Sequence, residues 1–205
     1  MKVVVQGFGN VGSYLANFLH QEGALVVAIS DSTTALYNPK GIDIPAAFAY
    51  KAENRTLVGL KDAETITDEE LLLLDCDILA PCALEQVITA ENADKVKAPI
   101  ICEGANGPVT PTADAILEDK GVLILPDVLA NAGGVVVSYF EWVQGLQEYF
   151  WKEVEVNAKL NDIMSRAFEE TWETAEQRNM PMRVASYGLA VRRVAEATIT
   201  RGIYP

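Results

Sequence analysis

The 205-residue sequence is short of positive charge: 16 Lys and Arg stand against 29 Asp and Glu, for a formal charge of −13, and no basic block occurs. Nucleic acid and anionic membrane are both bound through clustered cations, so both are excluded as partners. Histidine is scarce. His20 stands alone, beside Gln21 and Glu22, and is expected on a solvated helix face; no Ser/His/Asp arrangement or metal-ligand spacing occurs. No apolar run reaches the length of about 18 residues that a membrane span needs, and no basic, apolar and small-residue signal segment opens the chain. Cys76, Cys82 and Cys102 are odd in number and lie in or beside apolar runs. They suit reduced thiols packed as small hydrophobes, which points to the cytoplasm. Without a secretion signal, the glycosylation pattern Asn54-Arg55-Thr56 is taken as coincidence.

What is present is enough chain to bury roughly 70% of its unfolded surface without metal or disulfide. The run Lys2-Val3-Val4-Val5-Gln6 reads as a buried strand that starts with no lead-in, as expected of a cut at a domain boundary. It passes directly into Gly7-Phe8-Gly9-Asn10-Val11-Gly12, then a helix with an apolar stripe at Leu15, Ala16, Phe18 and Leu19, and then a second strand over 25–29 ending at Ser30-Asp31. A bare GxGxxG is weak evidence; placed inside a βαβ unit it is strong, because each glycine has its own task. Gly7 permits the tight turn, Gly9 lets backbone approach a pyrophosphate, and Gly12 lets helix and sheet pack closely. The helix start supplies free N–H groups and a favourable dipole for phosphate. Asp31 stands about 20 residues past the glycines, where a carboxylate accepts from the adenosine ribose hydroxyls. A 2′-phosphate about 4 Å away would cost roughly 4 kcal/mol per unit charge at an effective dielectric near 20, which favours NAD, with NADP as the alternative if Lys40 screens the acid.

The rest of the chain alternates strand and helix. Residues 32–42 read as a polar loop, 44–52 as a helix, and Thr67-Asp68-Glu69-Glu70 as a capping box. Strands are expected at 77–81, 99–103 and 122–125, and Thr110-Pro111 starts a helix ending at Gly121. Helical patterns follow over 135–146, 154–175 and 183–201. The expected fold is α/β: a Rossmann-type, doubly wound, mostly parallel sheet with helices on both faces and a C-terminal helical segment, the core at 1–150 and the helices at 151–205. Ligands of such sheets bind at the carboxyl ends of the strands. Those ends carry Ala80-Pro81-Cys82-Ala83, then Glu103-Gly104-Ala105-Asn106-Gly107-Pro108, and, after Pro126-Asp127, Asn131-Ala132-Gly133-Gly134. Small residues leave room for a flat ring, and the amides of Asn106 and Asn131 suit a ribose or carboxamide. Turn chemistry alone would also place such residues there.

VVVQGFGNVG at 3–12, SDS at 30–32, YNPKGID at 37–43, DILAPCA at 77–83, EGANGPVTP at 103–111 and PDVLANAGGVVVSYFEWVQ at 126–144 together resemble the C-terminal coenzyme domain of the glutamate dehydrogenases, within the glutamate, leucine, phenylalanine and valine dehydrogenase superfamily. The likeness covers essentially the whole chain, and NAGG followed by SYFEW is more like the glutamate branch. It implies reversible oxidative deamination of L-glutamate to 2-oxoglutarate and ammonia. On this resemblance Gly7, Gly9, Asn10, Val11 and Gly12 hold the pyrophosphate and Asp31 the adenine ribose, with Ser32 a further cofactor-binding residue. Ala80 and Pro81 line the groove, Asn106 and Asn131 orient the nicotinamide half, and Ser138 reaches the substrate's side-chain carboxylate.

The resemblance also implies a lysine in a GGxK setting and a proton-transferring aspartate in a separate substrate domain. No lysine of this sequence has that setting. The expectation is a chain that binds the dinucleotide and meets glutamate or 2-oxoglutarate only together with a substrate domain. The alternative is a stand-alone, non-catalytic NAD-binding or interaction module. Self-association is expected around Phe140, Trp142, Phe150 and Trp151, opposed by the negative charge.

Overall fold

The computed structural model describes residues 1–202. It divides into two compact units, Met1–Asp127 and Val128–Pro205, a division that falls earlier than the 150/151 boundary read from the sequence. Strand pairing decides the position: the last strand of the sheet ends at Leu125, and the helix Gly133–Gln147 packs against the helix that follows it.

The first unit is built on a seven-stranded sheet. In chain order its elements are β1 (Lys2–Gln6), α1 (Asn10–Gln21), β2 (Leu25–Ser30), β3 (Ala35–Tyr37), α2 (Ile44–Asn54), β4 (Glu64–Ile66), α3 (Asp68–Leu72), β5 (Ile78–Pro81), β6 (Ile100–Cys102), α4 (Pro111–Asp119) and β7 (Leu123–Leu125); of the short α5 (Asp127–Ala130) that follows, only Asp127 belongs to this unit. The strand order is β4-β3-β2-β1-β5-β6-β7. Strands β2, β1, β5, β6 and β7 run parallel, and β3 and β4 join antiparallel at one edge. The chain reverses its winding between β1 and β5, and the carboxyl ends of those two strands open the crevice where such sheets take ligands.

Strand β3 corrects the reading of 32–42 as loop, and β4 adds a further strand beside it. Each has three residues, too few for an alternating pattern to show. Ala35 and Leu36 are nonetheless buried, because β3 pairs through its backbone with β2. Alternation of side chains across the parallel strands gives the unit two cores. Val3, Val5 and Ile29 meet Ala16 of α1 and Ile44 and Ala47 of α2 on one face. Val4, Leu79, Ile101 and Ile124 meet Leu71 and Leu72 of α3 and Ala113 and Leu117 of α4 on the other. Helix starts follow their caps: Asp43, Thr67 and Thr110 each accept a backbone N–H of the first turn, Thr67 and Glu70 closing a capping box.

The second unit is helical: α6 (Gly133–Gln147), α7 (Glu153–Arg178) and α8 (Met182–Arg201). The sequence spaces Leu160, Ile163, Met164, Ala167, Phe168, Thr171 and Trp172 as one apolar stripe along α7, which packs on α8; all are half-buried or buried except Phe168, which is exposed. Phe140 is a correction to the expected exposed aromatic patch. It is 4% exposed and meets Trp151 edge to face at 5.5 Å, whereas Trp142 and Phe150 stay exposed. No helix among the described residues is long and apolar enough to cross a membrane.

Candidate functional site

Three turns converge at the carboxyl ends of β1, β5 and β6. Gly7 leaves β1 at φ +92°, and a Cβ there would lie 2.8–2.9 Å from Ala83, in the turn after β5. A Cβ on Gly12, in the first turn of α1, would fall 1.8 Å from the carbonyl oxygen of Gly7 and 3.1 Å from Cβ of Cys82. The strand, its turn and the helix are thus in backbone contact, which only glycine at position 12 permits. Gly104, after β6, closes the group: a Cβ there would stand 2.5 Å from Sγ of Cys82 and 3.3 Å from Val11. The N–H groups of Gly104 and Ala105 donate to the Pro81 carbonyl at 3.0 and 2.9 Å.

The start of α1 differs from those of α2, α3 and α4. Its N-cap is Gly9, which offers no side-chain cap. The N–H groups of the first turn therefore have no side-chain acceptor, and open space lies above Gly9, where an added Cβ would meet nothing within 4 Å. Asn10 and Val11 are exposed beside it. Backbone donors with a dipole behind them and no carboxylate cap fit a pyrophosphate. Ala80 and Pro81 are buried at the end of β5, while Asn106 is exposed on the loop after β6. Gln6, the last residue of β1, keeps its Oε1 buried with no partner. In the second unit Asn131 is half-buried just before α6, and Ser138 is exposed on α6.

Asp31 is tied closely to other parts of the chain. Its side chain is 3% exposed. Oδ1 accepts the backbone N–H and the hydroxyl of Thr33 at 2.8 and 2.6 Å and the N–H of Thr34 at 3.1 Å. Oδ2 accepts the N–H of Leu57 at 2.8 Å and pairs with Nζ of Lys51 at 3.4 Å. Burial pushes its pKa up, but the Thr33 and Leu57 hydrogen bonds and the Lys51 charge outweigh that, leaving it below the usual 3.8. With its lone pairs occupied, the carboxylate holds the turn after β2 and ties it to the loop after α2. Ser32, next to it, is exposed. Lys51, not Lys40, is the cation at the acid. Nothing in the local sequence marks Lys51, because α2 returns it to Asp31 only through the fold.

The sequence placed Cys82, Ala83 and Gly104 at the strand ends as small residues that leave room for a ring; the structure adds their proximity to Gly7 and Gly12. The thiols are protected rather than poised. Burial, with neighbouring acids, pushes Cys76 up to about 12; burial raises Cys82 to about 12 and Cys102 to about 11. At pH 8 the thiolate fraction follows, so a disulfide reagent is expected to label the folded protein roughly a hundredfold or more slower than the protein in urea. Equal rates in the two states would show that these thiols are open.

A parallel sheet with a winding reversal, a glycine turn in backbone contact with an uncapped helix and small-residue loops on the same edge defines a Rossmann-type nucleotide-binding domain. Comparison makes the kinship specific. The sequence profile described as Glutamate/Leucine/Phenylalanine/Valine dehydrogenase matches residues 1–202, and the chain belongs to that family. It is 53% identical over 204 residues to a glutamate dehydrogenase of Thermotoga maritima, covering 99% of this chain and 49% of that protein. It is 50% identical over 201 residues to an NAD-specific glutamate dehydrogenase of Staphylococcus aureus, covering 98% and 48%. In structure it resembles the hetero-hexameric glutamate dehydrogenase of Thermus thermophilus, with a TM-score of 0.91 at 34% identity over 100% of this chain and 48% of that one. The chain spans about half the length of the relatives it matches, and corresponds to the C-terminal part of a glutamate dehydrogenase.

Proposed function

We propose that this chain is the coenzyme-binding domain of a cytoplasmic glutamate dehydrogenase. The observation that carries the proposal is the joining of the Gly7–Gly12 turn, the uncapped start of α1 and the Cys82 and Gly104 turns at one sheet edge. The pyrophosphate is held by backbone of Gly7, Gly9, Asn10, Val11 and Gly12, with Ala80 and Pro81 as the apolar wall. Ser32 faces the adenine ribose, and Asp31 holds the turn that presents it. Asn106 and Asn131 are assigned to the nicotinamide half, and Ser138 to the side-chain carboxylate of glutamate.

The nicotinamide ring, when bound, supplies the hydride acceptor for oxidation of glutamate. This chain's part is to orient that ring and exclude water behind it. Carbonyl polarisation and proton transfer belong to a lysine and an aspartate that the family places in a substrate domain, and no lysine here has the GGxK setting. NAD is the cofactor proposed, on the strength of the NAD-specific relatives. The charge of Asp31 no longer supports that preference, since Lys51 and four hydrogen bonds compensate it.

Calorimetric titration tests the proposal. NADH is expected to bind the 205-residue chain, and the chain alone is expected to give no glutamate-dependent NADH. Adding a separately produced substrate domain of a relative is expected to restore deamination. Failure to bind any nicotinamide dinucleotide would refute the site, and turnover by the chain alone would refute the division of labour. Binding without rescue favours a non-catalytic NAD-binding module.

A further inference from the structure

Glu103 is a fully buried carboxylic acid at the carboxyl end of β6, and nothing in the binding of pyrophosphate or ribose uses it. Burying such a group is costly unless donors meet it. Here Oε2 accepts the backbone N–H of Asp127 at 2.8 Å. Asp127 is the first residue of α5, where an N–H has no partner within the helix. The chain of bonds then continues, because Oδ2 of Asp127 accepts the N–H of Gly107 at 2.8 Å. Gly107 directly follows Asn106. The same loop is held at its other side by the N–H of Gln86, which donates to the Gly107 carbonyl at 2.8 Å, and by the two bonds from Gly104 and Ala105 to Pro81.

We infer that Glu103 is a positioning residue for the nicotinamide half of the site: acting through Asp127 it fixes Gly107, and with it the direction of Asn106, a role that presupposes the nicotinamide contact proposed above. An acid suits this position better than an amide. Glutamine keeps the shape and one acceptor, but adds an N–H2 to a pocket built around an acceptor. The relay spans the ends of β6 and β7, so it aligns the loop with the rigid sheet rather than with solvent. Its two bonds, from Asp127 to Glu103 and from Gly107 to Asp127, lie in the loops after β6 and β7. Its loss is therefore expected to be felt by one half of the dinucleotide and not by the other.

The test compares NADH with ADP-ribose, which lacks the nicotinamide. In Glu103→Gln, and separately in Asp127→Ala, the affinity for NADH is expected to fall about tenfold. ADP-ribose affinity is expected to stay within about twofold, as for a change remote from its contacts. Because both substitutions cut one relay, the double variant is expected to bind NADH no more weakly than the weaker single one. Equal losses for both ligands, unchanged NADH affinity in both variants, or additive losses would overturn the assignment. Asp127 is only half-buried, so Asp127→Ala decides the matter if Glu103→Gln fails to fold. An unsubstituted protein that binds neither ligand would instead refute the dinucleotide site itself.

Discussion

Replacing Gly12 by alanine is expected to destabilise the protein by about 3 kcal/mol and to weaken NADH binding roughly a hundredfold. The added methyl would sit 1.8 Å from the Gly7 carbonyl oxygen, and backbone cannot yield as the end of a flexible side chain does. Relief requires α1 to move away from β1. That movement opens the contact with Cys82 and displaces the N–H groups that face the pyrophosphate. Gly9→Ala is the control, since its Cβ would meet nothing within 4 Å. It is expected to leave stability within about 1 kcal/mol, while obstructing a ligand that lies against the backbone. Urea unfolding and NADH titration of the two variants separate fold from site. A Gly12→Ala protein as stable as the original would show that the turn adjusts and that its glycine is not required for packing.

Asp31→Ala is expected to cost about 3–4 kcal/mol of stability, well beyond what an exposed ribose-binding acid would cost. The loss leaves the N–H groups of Thr33, Thr34 and Leu57 without their acceptor and strips Lys51 of its partner. The pH dependence has a defined sign. The folded protein holds Asp31 below its ordinary value of 3.8, so the unfolded chain binds more protons in that window. The stabilisation is complete above the ordinary value and is lost as pH falls through the lower, folded one. Asp31→Asn removes this contribution at every pH, so its unfolding midpoint is expected to decline less steeply in acid than that of the original protein. Denaturant midpoints at pH 3 to 7 measure the difference. Parallel curves, or a variant as stable as the original at pH 7, would show that the acid is not anchoring the turn.

The two predictions concern one motif and show how unevenly the sequence exposes a site. Gly12 was readable because its requirement is local: a strand, a turn and a helix within 21 residues leave one packing geometry, and the spacing names the residue at the contact. Asp31 was readable as a position, but its partners within the chain were not. Its partners Lys51 and Leu57 come from the last turn of α2 and the loop after it, and no spacing rule connects them with the end of β2. The short strands β3 and β4 escaped for a related reason, since their burial depends on pairing with β2 and not on a pattern of their own.

By itself the sequence determined the parallel α/β class, the capped helix starts, the glycine turn and the family, because each follows from periodicity or from residues adjacent in the chain. Only the tertiary structure decided which side chains share the crevice, that Cys82 and Gly104 close against Gly12, that Lys51 rather than Lys40 neutralises Asp31, and that Glu103 is sealed behind Asn106's loop. Those facts rest on contacts between segments far apart in the chain, where burial and hydrogen-bond geometry, and not local preference, set a residue's role.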